Sequence, residues 1–252
     1  MISFEFPVTE RTRTLLRLEH LYGRLAYFFG KDHPLDHHAG LLVLFELMET
    51  ASRADLKADL LQELERQKQI LEPLRENPNV AEDTLERVLE DIEQASAQLL
   101  GITGKFGQHL RENEWLMAIK QRAGIPGGTC QFDLPSYFLW QQKPAEERRQ
   151  DLKRWAGPLM PTAEAARILL KLLRDGGKTH HYVARAGAFQ QMSGGKIVQL
   201  IRVAYDPALN VLPELSANKY ALNIRFVSAV TGETRPRQTE QDVDFSLTNC
   251  KF

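Results

Sequence analysis

The hydrophobic pattern of this chain changes period once, at "RDGGK" (Arg174–Lys178), and that change limits the fold more than any other feature. Before it, apolar residues recur every three or four positions, the spacing of amphipathic helices. After it, they alternate with polar residues, the spacing of half-buried strands. The glycine pair suits the point where a helix stops. Helical segments followed by strands, rather than interleaved with them, predict an α+β fold: a mainly helical domain and then an antiparallel β domain.

One strand sits apart. "MISFEF" alternates Ile2, Phe4 and Phe6 against Ser3 and Glu5, and Pro7 ends it. It is free to return and pair with the C-terminal sheet, which would make the β domain discontinuous in sequence. The expected domains are therefore 8–176, helical, and 177–252 together with strand 2–6.

Thr9 is expected to cap a helix carrying Leu15, Leu18, Tyr22 and Leu25 on one face. "KDHPLDHH" reads as a loop, with Asp36 capping a helix from 39 to about 50. A long helix over 55–71 breaks near Pro73, and Asn79 with Glu82 resembles a capping box for a second long helix. That helix places Leu85, Val88, Ile92, Ala95 and Leu99 on a heptad seam flanked by charge. The short connection implies an antiparallel hairpin, either packed on its own domain or projecting as a dimerising arm. Further helices are expected over 105–122, 136–141, 145–156 and 162–174. Strands are expected within "HYVARAGAF", "GKIVQLIRVAY", "NKYALNIRFV" and "DVDFSLT", joined by "QMSGG", "DPALNVLPELSA" and "TGETRPRQ".

The composition, 43% hydrophobic and 26% charged over 252 residues, is ordinary for a soluble globular protein. No apolar run approaches the ~20 residues of a membrane span, and "MISFEFPVTER" lacks the pattern of a signal peptide. Two cysteines are too few for a disulfide framework, which favours a reducing cytoplasm. The net charge of −1 conceals an asymmetry. Glu49 to Glu93 holds six Lys/Arg against thirteen Asp/Glu, whereas Arg167 to Arg237 holds eleven against four. An acidic region and a basic region suit different partners.

The stretch most suggestive of chemistry is "IPGGTCQFDLPSYFLW". Cys130 has Asp133 as its nearest ionisable neighbour, which disfavours thiolate, and no nucleophile signature surrounds it; the expectation is an inert, buried cysteine. Pro126-Gly127-Gly128 and "SGGK" (193–196) lack the Gly-Lys-Ser/Thr ending of a phosphate loop and read as turns. Asp133 is expected to cap the helix after Pro135, with Phe132, Leu134, Phe138 and Trp140 anchoring a core. His33, Asp36, His37 and His38 are metal-ligand types without metal-ligand spacing, so a polar loop and helix start is expected there.

In "ANKYALNIRFV" a strand would send Tyr220, Leu222, Ile224 and Phe226 inward and Lys219, Ala221, Asn223 and Arg225 outward. Two cations and an amide on an open face suit an acidic peptide, and the balanced total charge argues against nucleic acid. These residues favour a protein-binding scaffold over an enzyme.

"RTLLRLEHL", "LLQELERQ", "IPGGTCQFDLP" and "SANKYALNIRF" stand in the order and spacing of the ZapD family of bacterial cell division proteins, which this chain resembles over nearly its whole length. The resemblance implies a cytoplasmic, non-enzymatic homodimer at the midcell division ring, without cofactor, metal, nucleic acid or membrane insertion. Such proteins bind the C-terminal tail of FtsZ and bundle its filaments. It further implies a dimerising helical domain and a basic tail-binding surface where the helical and β domains meet. Matched by motif, Arg53, Lys219 and Arg225 take basic positions of that surface, beside Asn223. Ala221 and Glu114 depart from basic positions, leaving Lys57 or Arg111 to supply charge. The alternative is an adaptor on the same scaffold for another acidic protein.

Overall fold

The computed structural model describes residues 1–52, 55–192, 198–218, 220–228 and 236–252. The chain is α+β, with helices followed by antiparallel sheets. It divides into two compact units, Thr14–Leu169 and Met1–Arg13 with Leu170–Phe252, and the division falls inside two helices.

The first unit is helical. Strand β1 (Ile2–Pro7) precedes helix α1 (Glu10–Phe29), where the Thr9 hydroxyl accepts the Thr12 amide at 3.2 Å, as its capping role requires. Leu15, Leu18, Tyr22 and Leu25 are all buried on one face. Helix α2 (Pro34–Ala51) starts five residues earlier than the sequence suggested. Its cap is His33, not Asp36: the extended backbone of His33 and Pro34 at the first position set the start, and His33 Nδ1 accepts the Leu35 amide at 3.2 Å.

Helices α3 (Leu56–Leu71) and α4 (Glu82–Gly101) form the hairpin, joined through a 3₁₀ turn at Glu72–Glu76 that contains Pro73. Its antiparallel sense is visible in three contacts. Lys57 Nζ meets Ile102 O at 2.7 Å, Lys68 Nζ meets Glu93 Oε1 at 2.8 Å, and Arg75 Nε meets Glu86 Oε1 at 2.7 Å. The numbers rise along one helix as they fall along the other. The capping box does not form, because Asn77 makes the turn by accepting the Asn79 amide, and Glu82 is itself the first helical residue. The seam also shifts by one residue: Leu85, Leu89, Ile92, Ala95 and Leu99 are buried, and Val88 is half-buried.

The helix expected over 105–122 is two, α5 (Gln108–Arg111) and α6 (Glu114–Ala123). Asn113 restarts the chain by accepting the Leu116 amide at 3.1 Å. Helices α7 (Pro135–Gln141), α8 (Ala145–Ala156) and α9 (Met160–Asp175) follow. All three tryptophans of the chain meet here: Trp115, Trp140 and Trp155 surround Tyr137 or one another at ring separations of 5.5–6.0 Å. The second unit is built on two antiparallel sheets. One has the order β1, β4 (Leu200–Tyr205), β7 (Val243–Cys250), β2 (Lys178–Ala184), so the N-terminal strand does return to the C-terminal sheet. The other has the order β3 (Ala188–Met192), β6 (Ala221–Ser228), β5 (Val211–Ala217). Ile201, Val203, Tyr205, Ile224, Phe226 and Phe245 share a core, with Phe226 5.5 Å from Tyr205 and 5.3 Å from Phe245.

Two strand expectations change. "HYVARAGAF" is not one strand but two, β2 in one sheet and β3 in the other, joined by a tight turn at Ala186 and Gly187 that has φ of 45° and 71° and is closed by a single antiparallel bridge between Arg185 and Ala188. Asp242 holds that turn by accepting the Ala186 amide at 2.9 Å. Strand β5 lies in "DPALNVLPELSA", which reads as a connection because Pro213 interrupts it; as an edge strand it tolerates that proline.

Candidate functional site

The outer face of the β3–β6–β5 sheet is set by strand alternation. In β6, Leu222, Ile224 and Phe226 go inward and Asn223 and Arg225 are exposed. Tyr220 is 64% exposed, against expectation, because it lies before the strand in a turn where Asn218 Oδ1 accepts the amides of both Tyr220 and Ala221. Ala221, expected outward, is buried. Across the sheet, Asn223 lies in a row with Gln190 and Ser216, and Arg225 in a row with Ala188 and Glu214.

Arg225 is not an unpartnered cation. Its Nε donates to Glu214 Oε2 at 3.0 Å and a terminal nitrogen donates to the same oxygen. Both side chains are about half exposed, and an exposed pair of this kind stabilises by only about 0–1 kcal/mol. The sequence reading missed Glu214 altogether, since it sits in the unrecognised strand. Alternation of Val211, Pro213 and Leu215 against Leu212, Glu214 and Ser216 was the signal available for it.

The other basic positions divide between the units and the undescribed residues. Arg53 and Lys219 lie outside the described residues, as does the "SGGK" turn. Lys57 and Arg111 belong to the helical unit. Lys57 donates to the Ile102 carbonyl at the C-terminal end of α4, where a cation also meets the negative end of the helix dipole. Arg111 lies 4.0 Å from Glu49, which Lys120 approaches at 3.0 Å. Glu114 is exposed in the first turn of α6, a position where the helix dipole favours an acid.

Much of the basic surplus of the C-terminal region is compensated in space. Arg174 donates to both Glu5 oxygens, at 2.9 and 2.7 Å, and Arg202 Nε lies 3.2 Å from the same carboxylate without hydrogen-bond alignment. Arg185 pairs with Asp242. These partners are distant in sequence, which is why a count along the chain exaggerates the local charge.

The stretch around Cys130 is held by local contacts. The thiol is half-buried rather than buried, and donates to Asp133 Oδ2 at 3.3 Å. Asp133 is turned toward Cys130 and toward Arg122, 3.5 Å away, and does not cap α7. Leu134, Tyr137 and Trp140 are buried, while Phe132 is 80% and Phe138 41% exposed. The anchor is thus Tyr137 in place of the two phenylalanines. His37 is fully buried between Lys31 and Arg148, and His38 Nδ1 meets the Tyr137 hydroxyl at 2.7 Å. Among the described residues no group of His, Cys, Asp or Glu is arranged to hold a metal ion, and no helix is long and apolar enough to cross a membrane.

The surface therefore offers hydrogen-bonding and charged groups suited to recognition, and comparison with known proteins gives them a context. Residues 16–225 match the family model ZapD, described as a cell division protein. The chain is 85% identical to Cell division protein ZapD of Chromobacterium violaceum, covering all of both chains. It is 53% identical to the Cell division protein ZapD of Aromatoleum aromaticum, over all of this chain and 98% of that one. A further 53% match, over 99% of each chain, is the protein of that name from Azoarcus sp. strain BH72. With helices, sheets and connections all inside these full-length matches, the chain belongs to the ZapD family of cell division proteins.

Proposed function

We propose that this protein binds the C-terminal tail of FtsZ and, as a homodimer, crosslinks FtsZ filaments into bundles at the midcell division ring in the cytoplasm. The observation that carries this reading is full-length membership of a cell division family. The exposed Arg225 and Asn223, two residues apart on one sheet face, are in keeping with a docking role. In this reading residues 8–176 form the dimerising domain, and 177–252 with strand 2–6 the β domain. Arg53, Lys57, Arg111, Lys219, Asn223 and Arg225 contribute to tail recognition. The protein acts by binding and not by catalysis.

The physical logic is avidity. A disordered acidic tail loses conformational entropy on docking, so a single site of charge-assisted hydrogen bonds is weak. Two sites on one dimer, facing tails arrayed along a filament, gain from high effective concentration. Co-sedimentation tests this directly. Intact FtsZ filaments should bundle and pellet with the protein, and filaments lacking the tail should not. Arg225→Glu should lose bundling while remaining dimeric; normal bundling by that variant would remove this face from the site.

A further inference from the structure

We propose that Glu214 is an internal competitor for Arg225, occupying the guanidinium that an acidic peptide must take. This rests on the tail-binding reading above and adds a residue that controls it. Glu214 stands directly opposite Arg225 in the antiparallel register of β5 and β6. Nε and a terminal nitrogen of Arg225 both converge on one Glu214 oxygen, so the carboxylate covers the two-donor edge where a partner's carboxylate would dock. Within the strands β3, β5 and β6, Glu214 is the one acid and Arg225 the one base. Their neighbours in the next row, Gln190, Asn223 and Ser216, are neutral. The one cation of these strands is therefore open to a partner only when that pair opens.

The competition sets a threshold for partners. A neutral peptide cannot replace the carboxylate on Arg225, so it meets a face with no net charge. An acidic peptide can replace it, because the existing pair is exposed and screened by water, and because a partner's carboxylate can meet the two nitrogens with one oxygen each, where Glu214 meets both with a single oxygen. The displaced Glu214 side chain is half exposed on an edge strand, so it can turn to solvent without breaking the sheet. Selectivity for acidic segments thus comes from the closed pair as well as from the cation.

The test is the affinity of a fluorescently labelled FtsZ tail peptide for the full-length protein, measured by anisotropy at low salt. Glu214→Gln keeps the shape and removes the charge, and should bind about fivefold tighter than the wild type, the equivalent of one exposed ion pair. In an Arg225→Gln background the same substitution should give no gain. A wild-type protein that binds the peptide, with Glu214→Gln binding equally well, overturns the competitor and leaves tail binding intact. A gain that persists without Arg225 also overturns it, since the effect would then be one of general charge. If neither protein binds the peptide, the tail-binding reading falls first and the competitor with it.

Discussion

Arg148 Nε donates to His37 Nδ1 at 2.9 Å, so a guanidinium only 4% exposed is held by an imidazole rather than by a carboxylate. Its remaining donors go to the backbone carbonyls of Asp32, Gln141 and Lys143. One side chain on α8 thereby ties together the end of α7, the loop before α2 and α2 itself. Five N–H groups in a planar fork make this arrangement one that only arginine can fill.

Truncating that fork should be costly. Arg148→Ala leaves His37 and three carbonyls without their donor, and is expected to destabilise by roughly 3–5 kcal/mol, the range for breaking a buried charged network. Arg148→Lys should recover only part of this, since one ammonium cannot span four acceptors. Urea denaturation followed by circular dichroism measures both.

The same pair predicts a pH dependence. Burial holds His37 below its ordinary pKa of 6.5, the Lys31 carbonyl opposes that, and the Arg148 and Arg149 charges add to the depression. His38 is lowered too, by burial. Below 6.5 the unfolded chain takes up protons that the folded one does not, so folding stability is full above that pH and falls as pH drops from it toward the depressed folded values. Midpoints of urea denaturation should therefore decline between neutral and mildly acidic pH. His37→Gln should flatten that decline; an unchanged slope would assign it to other groups.

The one-residue shift of the hairpin seam can be measured. Leu89 is 2% exposed on α4, so Leu89→Ala should cost about 3 kcal/mol through lost burial and a cavity. Val88 is half-buried, and Val88→Ala should cost about 1 kcal/mol or less. Equal losses at the two positions would argue for the heptad register instead.

Cys130 should prove silent. Its thiol makes one weak hydrogen bond, to Asp133, and serine can make the same bond. Cys130→Ser is expected to change stability by less than about 1 kcal/mol and to leave the proposed bundling of FtsZ filaments unaffected. Loss of bundling with the fold intact would reopen a chemical role for the thiol.

Legibility in the sequence followed the range of the interaction. Thr9 caps α1 and the 145–156 helix appears with its expected bounds because capping and amphipathic spacing act over a few residues. Asp36, Asn79 and Asp133 are all of cap-forming type, yet none caps its helix: His33 caps α2, α4 follows Ala81 without a side-chain cap, and Asp133 accepts from Cys130 instead. Short polar side chains have several near-equal backbone options, and packing chooses among them. Phe132 and Tyr137 show the same limit: hydrophobicity named the stretch as an anchor, but the geometry of the turn decided which ring went inside.

By itself the sequence determined the class of the fold, the hairpin, the return of β1 in outline and the family, since each depends on periodicity or on motifs within short spans. Only the tertiary structure decided which charges face one another. Arg225 meets Glu214 eleven positions away across a strand that proline had hidden, Arg174 meets Glu5 across 169 positions, and Arg148 meets His37 across 111. Coulombic and hydrogen-bonding partners are chosen by distance in space, and strand register and helix packing set that distance only once the whole unit has closed.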